Sequence, residues 1–211
     1  MNLPVVVPLW MRVFYPNRIW QMPNNHKVIY LSFDDGPHQH ITPQVLSMLE
    51  DYQAKASFFC VGDNVRKYPE VFSNIIQRGH AVGSHSFHHL NGWKTDKQAY
   101  VNDIVKANAL IQSNLFRPPY GRLKSNQAKT LISHGYEIVM WTLLSSDYDE
   151  QLSKEKCAER LLKKIRPGAI VLFHDSDKAK RNMIYALERL LYEGTRQGYR
   201  FEALPYKKGP A

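Results

Sequence analysis

The sequence predicts one α/β domain built as a parallel (β/α) barrel, on three observations. Short runs rich in β-branched and aromatic residues alternate with amphipathic helical segments along the chain. Three of these runs end in acidic or histidine residues, and the carboxyl ends of parallel strands are where such folds place their chemistry. The length of 211 residues, 44% hydrophobic and 22% charged, suits a single sizeable core, with no linker and no internal repeat.

Taken in order, residues 1–27 read as an N-terminal extension and residues 28–211 as the domain proper. The extension has no basic leader, and Pro4 and Pro8 interrupt its apolar run, so it matches neither a signal peptide nor a membrane span. The expectation is a cytoplasmic protein without stable membrane insertion. Val28 to Phe33 forms the first strand, stopped by Gly36-Pro37. Thr42-Pro43 reads as N-cap and first helical residue, with Val45, Leu46, Leu49 and Tyr52 on one face. A strand at 56–61 precedes a helix opened by Pro69, carrying Val71, Phe72, Ile75 and Ile76, and closed by Gly79. A strand at 80–83 and a helix over 97–115 follow. A helix from Ser125 through Leu131 and Ile132 ends at Gly135. Strands at 136–141, 169–173 and 199–203 alternate with helices at 154–165 and 180–193. Right-handed crossovers between such parallel strands close into a barrel with every strand-end motif on one face.

Asp34-Asp35 sits at the end of the first strand, and His85 and His89 follow the strand at 80–83. If the chain turns helically after Ser84, the four-residue spacing puts both imidazoles on one face, able to hold one metal ion. Asp35 supplies the third, oxygen ligand. Two histidines and one carboxylate leave a coordination position open, as catalytic zinc sites do, and non-haem iron uses the same donors. Trp141 ends the apolar run Ile138-Val139-Met140 and reads as core rather than substrate platform. His26, His38, His40, His80, His88 and His134 read as surface or loop residues, with His38 and His40 nearest the acid pair. Cys60 and Cys157 read as buried free thiols, not a disulfide framework.

Three further segments, Arg117-Pro118-Pro119-Tyr120-Gly121, Trp141 to Tyr148 with Asp147, and Leu172-Phe173-His174-Asp175, complete a set of five. In this order and spacing the chain resembles the polysaccharide deacetylases of the NodB-homology type, carbohydrate esterase family four, from about Val28 to Leu204. The resemblance sharpens the fold to a distorted or incomplete (β/α) barrel of seven parallel strands. It implies removal of N-acetyl groups from N-acetylhexosamine glycans, with Asp34 as base toward a water activated by the metal. Asp35, His85 and His89 would be the ligands of one divalent ion, zinc first, with Co, Mn, Ni or Fe as alternatives. It further implies His174 as the acid toward the leaving amine and the backbone N–H of Tyr120 as oxyanion donor. Arg117 is the natural partner holding Asp34 ionised and oriented. Asp147 would pair with His174 or Arg117, Ser86 would stiffen the metal loop, and Tyr148 and Leu172 would contact substrate. The chain departs from the family pattern at Ser32, Leu144 and Tyr148.

The formal charge of +9 raises the chance of an anionic partner, and Lys178, Lys180 and Arg181 lie close after His174. No nucleic-acid motif accompanies the charge, so the expected partner is an N-acetylated glycan. A small-molecule amidase, an O-acetyl xylan-type esterase and a non-catalytic carbohydrate-binding protein stay open, as does the oligomeric state.

Overall fold

The computed structural model describes residues 5–23 and 26–209. The parts of the expected extension and domain at 1–4, 24–25 and 210–211 lie outside the described residues. The strands are β1 (Val28–Asp34), β2 (Ser57–Cys60), β3 (Ala81–Ser84), β4 (Leu115–Phe116), β5 (Glu137–Ile138), β6 (Leu143–Leu144), β7 (Ile170–His174) and β8 (Arg200–Glu202). The helices are α1 (Leu9–Phe14), α2 (Ile41–Asp51), α3 (Gly62–Lys67), α4 (Pro69–Gln77), α5 (Lys97–Ile111), α6 (Ser125–Ser133), α7 (Lys154–Leu162) and α8 (Lys180–Arg196).

Seven strands run in the order β5-β4-β3-β2-β1-β7-β6, all neighbours parallel, and β8 pairs with the first half of β1. This is the distorted, incomplete barrel expected. Central β1 is apolar on both faces because helices cover the outside and side chains fill the inside. Phe33, fully buried, stacks on Phe58 at 5.0 Å and Phe173 at 5.7 Å between ring centroids, tying β1 to β2 and β7.

The two edge strands, β5 and β6, are bridged by the N-terminal segment. Ile19 N–H donates to Ile138 O at 2.8 Å and Met140 N–H to Ile19 O at 2.7 Å; Leu144 N–H donates to Val5 O at 2.7 Å. Val5, Val7 and Trp20 are buried there. Residues read as an extension thus satisfy edge donors and acceptors that an open sheet would leave exposed.

Three local readings need correction. The stretch expected to be helical over 97–115 ends at Ile111, and β4 follows it, too short to show periodicity. Helix α2 begins at Ile41, one turn residue before the expected cap, because the Thr42 hydroxyl donates instead to Asp175 and accepts from His38 N–H. His80 is buried, edge-on to Phe58, with its Nδ1 accepting from Ala56 N–H, and burial pushes its pKa down to about 4. Cys60 and Cys157 are free and buried, as expected.

Truncating Phe33 to Ala removes the ring shared by three strands and should lower unfolding free energy by about 3–5 kcal/mol, read from urea denaturation midpoints.

Candidate active site

The site is built from strand ends. Register places Asp34 opposite His174 across β1 and β7, and Ser84, just before His85, opposite Phe116, just before Arg117. Arg117 is fully buried and its fork spans the barrel mouth. Nη1 donates to Asp34 Oδ1 at 2.8 Å and Ser32 Oγ at 2.9 Å, Nε to Val139 O at 3.2 Å, and Nη2 to Met140 O at 2.9 Å. The guanidinium lies 3.9 Å from the centroid of the Phe59 ring.

Asp35, His85 and His89 present one donor atom each, all within 4.8 Å of one another. His85 Nδ1 donates to Arg117 O at 2.8 Å, which turns Nε2 and its lone pair toward the acids. Burial pushes the His85 pKa down to about 4, so the imidazole is neutral and able to ligate at neutral pH. His89 Nε2 lies 3.3 Å from Asp35 Oδ1, with its Nδ1 3.1 Å from the Tyr120 hydroxyl. Burial works against ionisation of Asp35, but the hydrogen bond from His89 and the nearby His174 and His85 hold its carboxyl well below the usual range. One carboxylate and two imidazoles, the His85 tautomer set by the Arg117 carbonyl, fit a divalent transition metal.

The loop carrying the histidines is not helical, contrary to the expected turn after Ser84. Ser86 and His89 take positive φ of 63° and 55°. The loop is held from α5: Asp103, buried, accepts from Phe87 N–H at 2.8 Å and His88 N–H at 3.0 Å and pairs with the His88 ring. Ser86 Oγ accepts from Leu90 N–H at 3.2 Å. Sequence reasoning missed Asp103, whose only signal was an acid on the helix face that buries Ile104 and Ala107.

His174 Nδ1 lies 2.8 Å from Asp147 Oδ1, and its backbone N–H donates to Asp147 Oδ2 at 2.8 Å. Asp147 therefore partners His174, not Arg117. Burial alone would lower the imidazole pKa; the Asp147 charge and hydrogen bond outweigh it and raise the value to about 9. Asp175, unassigned from sequence, accepts from Gly36 N–H at 3.0 Å and from the Thr42 hydroxyl. A Cβ on Gly36 would stand 2.2 Å from that carboxylate, so only glycine fits the turn after the acid pair.

These groups open into a cavity of about 380 Å³, walled by Tyr120, Trp141, Leu144, Tyr148 and Leu172 among others. Trp141 is half-buried: it packs against the core and against Gly121, and it also lines the cavity, so it is not simply core. None of His26, His38, His40, His80, His88 and His134 lines it.

A sequence profile described as polysaccharide deacetylase matches residues 21–139, more than half of the chain. The chain belongs to the polysaccharide deacetylase family. It is 34% identical over 198 residues to a peptidoglycan-N-acetylglucosamine deacetylase of Bacillus cereus, covering 89% of this chain and 93% of that one. To the peptidoglycan-N-acetylmuramic acid deacetylase PdaA of Bacillus subtilis it is 32% identical over 187 residues, 84% and 70% of the two chains. The crystal structure of the Bc1960 peptidoglycan N-acetylglucosamine deacetylase, bound to a hydroxamate (an N-oxidanyl-benzamide), superposes with a TM-score of 0.87 at 28% identity, covering 94% of this chain and 95% of that one. BA3943 of Bacillus anthracis, described as a pseudoenzyme, superposes at 0.78 with 25% identity over 89% of this deacetylase-family chain and 67% of its own.

Replacing Asp103 by Asn removes the charge that gathers the histidine loop. Metal affinity, measured by competition with a chromophoric chelator, should fall about 10- to 100-fold.

Proposed function

We propose that this protein is a metal-dependent N-deacetylase of N-acetylhexosamine glycans, peptidoglycan-like or chitooligosaccharide-like, hydrolysing an acetamide to acetate and a free amine. The carrying observation is the convergence on one cavity of a three-donor cation site, a carboxylate held by a buried guanidinium, and an imidazole backed by a carboxylate. Relatives named for peptidoglycan deacetylation favour that substrate class.

Asp35, His85 and His89 would hold the ion, zinc first, with Co, Mn, Ni or Fe accepted by the same donors. Bound there, it supplies a Lewis acid that makes water nucleophilic at neutral pH. The remaining roles fall to the chain. Asp34, fixed by Arg117, takes the proton of the attacking water. The backbone N–H of Tyr120, whose φ of 60° belongs to the left-handed region, would donate to the developing oxyanion, as the family resemblance implies. His174, protonated because Asp147 stabilises the imidazolium, gives its proton to the departing amine nitrogen. Trp141, Tyr148 and Leu172 offer apolar walls to the sugar and acetyl methyl, and Leu144, one of the chain's departures from the family pattern, adds an apolar side chain to that wall. Both proton-transfer groups are in place, which favours turnover over the binding-only reading.

The test is acetate release from N-acetylglucosamine oligomers, peptidoglycan fragments and acetylated xylan by chelated enzyme reloaded with Zn or Co. Release from an amino-sugar substrate only with metal supports the proposal; metal-dependent release from xylan alone, or none with metal bound, overturns it. Asp34→Asn should keep metal affinity and lose about 10²- to 10⁴-fold in kcat, whereas His89→Ala should lose the metal itself. Equal metal loss in both would remove the base role from Asp34.

The acid role sets the alkaline limb. A raised imidazole pKa keeps His174 charged below about 9, so activity should fall as pH rises through that value. Asp147→Asn leaves burial opposed only by the Asp35 and Asp34 charges, and the limb of kcat/KM against pH should move to lower pH.

A further inference from the structure

Helix α1 is a six-residue element with no buried residue and no side-chain cap. A turn and a half of helix does not persist on its own hydrogen bonds. What holds it is its attachment: Met11 packs beneath it and the Trp20 indole donates to Tyr15 O at 3.1 Å. Its outer face is Leu9, Trp10, Val13 and Phe14, exposed by 73%, 59%, 76% and 72%. The spacing makes Leu9 neighbour Val13 and Trp10 neighbour Phe14, whose rings meet edge-on at 6.2 Å. Single exposed apolar residues are ordinary; four contiguous ones on one element mark a contact surface.

The rim is cationic. Arg12 donates to the Gln21 amide, Arg18 to Leu123 O while lying over the Tyr15 ring, and Arg166 to Lys164 O; no carboxylate pairs with any of the three among the described residues. Arg12 sits under the helix with its Nε and Nη2 buried, and that burial, then the neighbouring Arg166 charge, lowers its pKa, so the outward charge of the rim is carried by Arg18 and Arg166. A second copy docking through this face in a two-fold arrangement would bring two cationic rims into one interface, which opposes self-association. Apolar residues including a tryptophan on a short surface helix, edged by arginines without a carboxylate partner, suit the boundary between headgroups and acyl chains. No helix among the described residues is long and apolar enough to cross a membrane, so the contact is peripheral.

We propose that α1 docks the protein onto the surface of an anionic phospholipid bilayer, Leu9, Trp10, Val13 and Phe14 entering the headgroup boundary and Arg18 and Arg166 meeting lipid phosphates. The contact stands apart from the substrate reading.

Flotation of the full chain with vesicles of phosphatidylglycerol and phosphatidylcholine in equal parts, and with phosphatidylcholine alone, tests it. Binding to the mixed vesicles, weakened by salt, should drop by about tenfold or more when Val13→Ser is combined with Phe14→Ser, since each side chain withdrawn from water contributes on the order of tenfold. Arg18→Gln should weaken binding to the mixed vesicles only. Acetate release from a soluble oligomer and the denaturation midpoint should not change in either variant. Failure to float with anionic vesicles, or equal flotation of the double variant, overturns the proposal. So does a concentration-dependent dimer in sedimentation that the double variant abolishes, which would assign the face to a second copy.

Discussion

The ion pair between Arg117 and Asp34 is the constraint around which the rest of the site is arranged. Both partners are almost wholly removed from water, and a buried charge without its partner destabilises a fold by about 3–5 kcal/mol. Arg117 meets that demand by spending every arm: Nη1 on Asp34 and Ser32 from β1, Nε and Nη2 on Val139 and Met140 after β5. Its carbonyl fixes the His85 tautomer and its N–H continues the pairing with Ser84. One residue therefore sets the orientation of a carboxylate, an imidazole and the seam end of the barrel. Burial lowers the affinity of the guanidinium for its proton, and the Asp34 charge works in the opposite direction.

Backbone conformation pays for this arrangement locally. Seven non-glycine residues among those described have positive φ, and five of them, Asp35, Ser86, His89, Tyr120 and Ser146, lie in the loops around the cavity. Such conformations persist only where surrounding contacts over-determine them. Those contacts come from buried acids that do not face the cavity: Asp103 gathers the histidine loop, and Asp175 holds the turn at Gly36. Burial pushes the Asp175 pKa up to about 7, with the Thr42 hydroxyl and Gly36 N–H opposing that rise. A folded pKa above the unfolded one means that ionising Asp175 opposes the fold, so this carboxyl favours the folded state most below its ordinary pKa and progressively less as pH rises toward about 7.

Much of this was legible in the sequence because the chemistry sits at strand ends, and long apolar strands such as β1 and β7 announce their own boundaries. Asp34-Asp35, His85, His89 and His174 follow from that rule, whereas Arg117 and Asp147 were reached through the resemblance of their motifs to the family. What stayed hidden was short or remote. Strands β4 and β6 have two residues each, below any period a pattern can show. Asp103 reaches its loop from a helix 15 residues on, a contact that local spacing does not encode. The pairing of His85 with His89 was anticipated from helical spacing, yet a loop with two left-handed residues brings them together instead. Trp141 reads as core by its neighbours and is half so, packing on the core while also lining the cavity.

The two adjacent carboxylates show how one peptide unit separates two chemistries. On a regular strand, successive side chains point to opposite faces, so Asp34 and Asp35 would diverge. Asp34 is still in β1 and points to Arg117, whereas Asp35 takes φ of 81° and its carboxylate swings back to the same side. Both then reach one imidazole: Asp34 Oδ2 lies 3.7 Å and Asp35 Oδ1 3.9 Å from His85 Nε2. Two anions so close would repel unless each had its own compensating charge, and here Arg117 serves the first while the histidine donor site, suited to a cation, serves the second. Gly36 makes the reversal possible, because the chain must leave Asp35 directly against the Asp175 carboxylate, where no Cβ fits. The DDG sequence is thus a geometric device, with a strand residue, a left-handed residue and a residue without a side chain in succession.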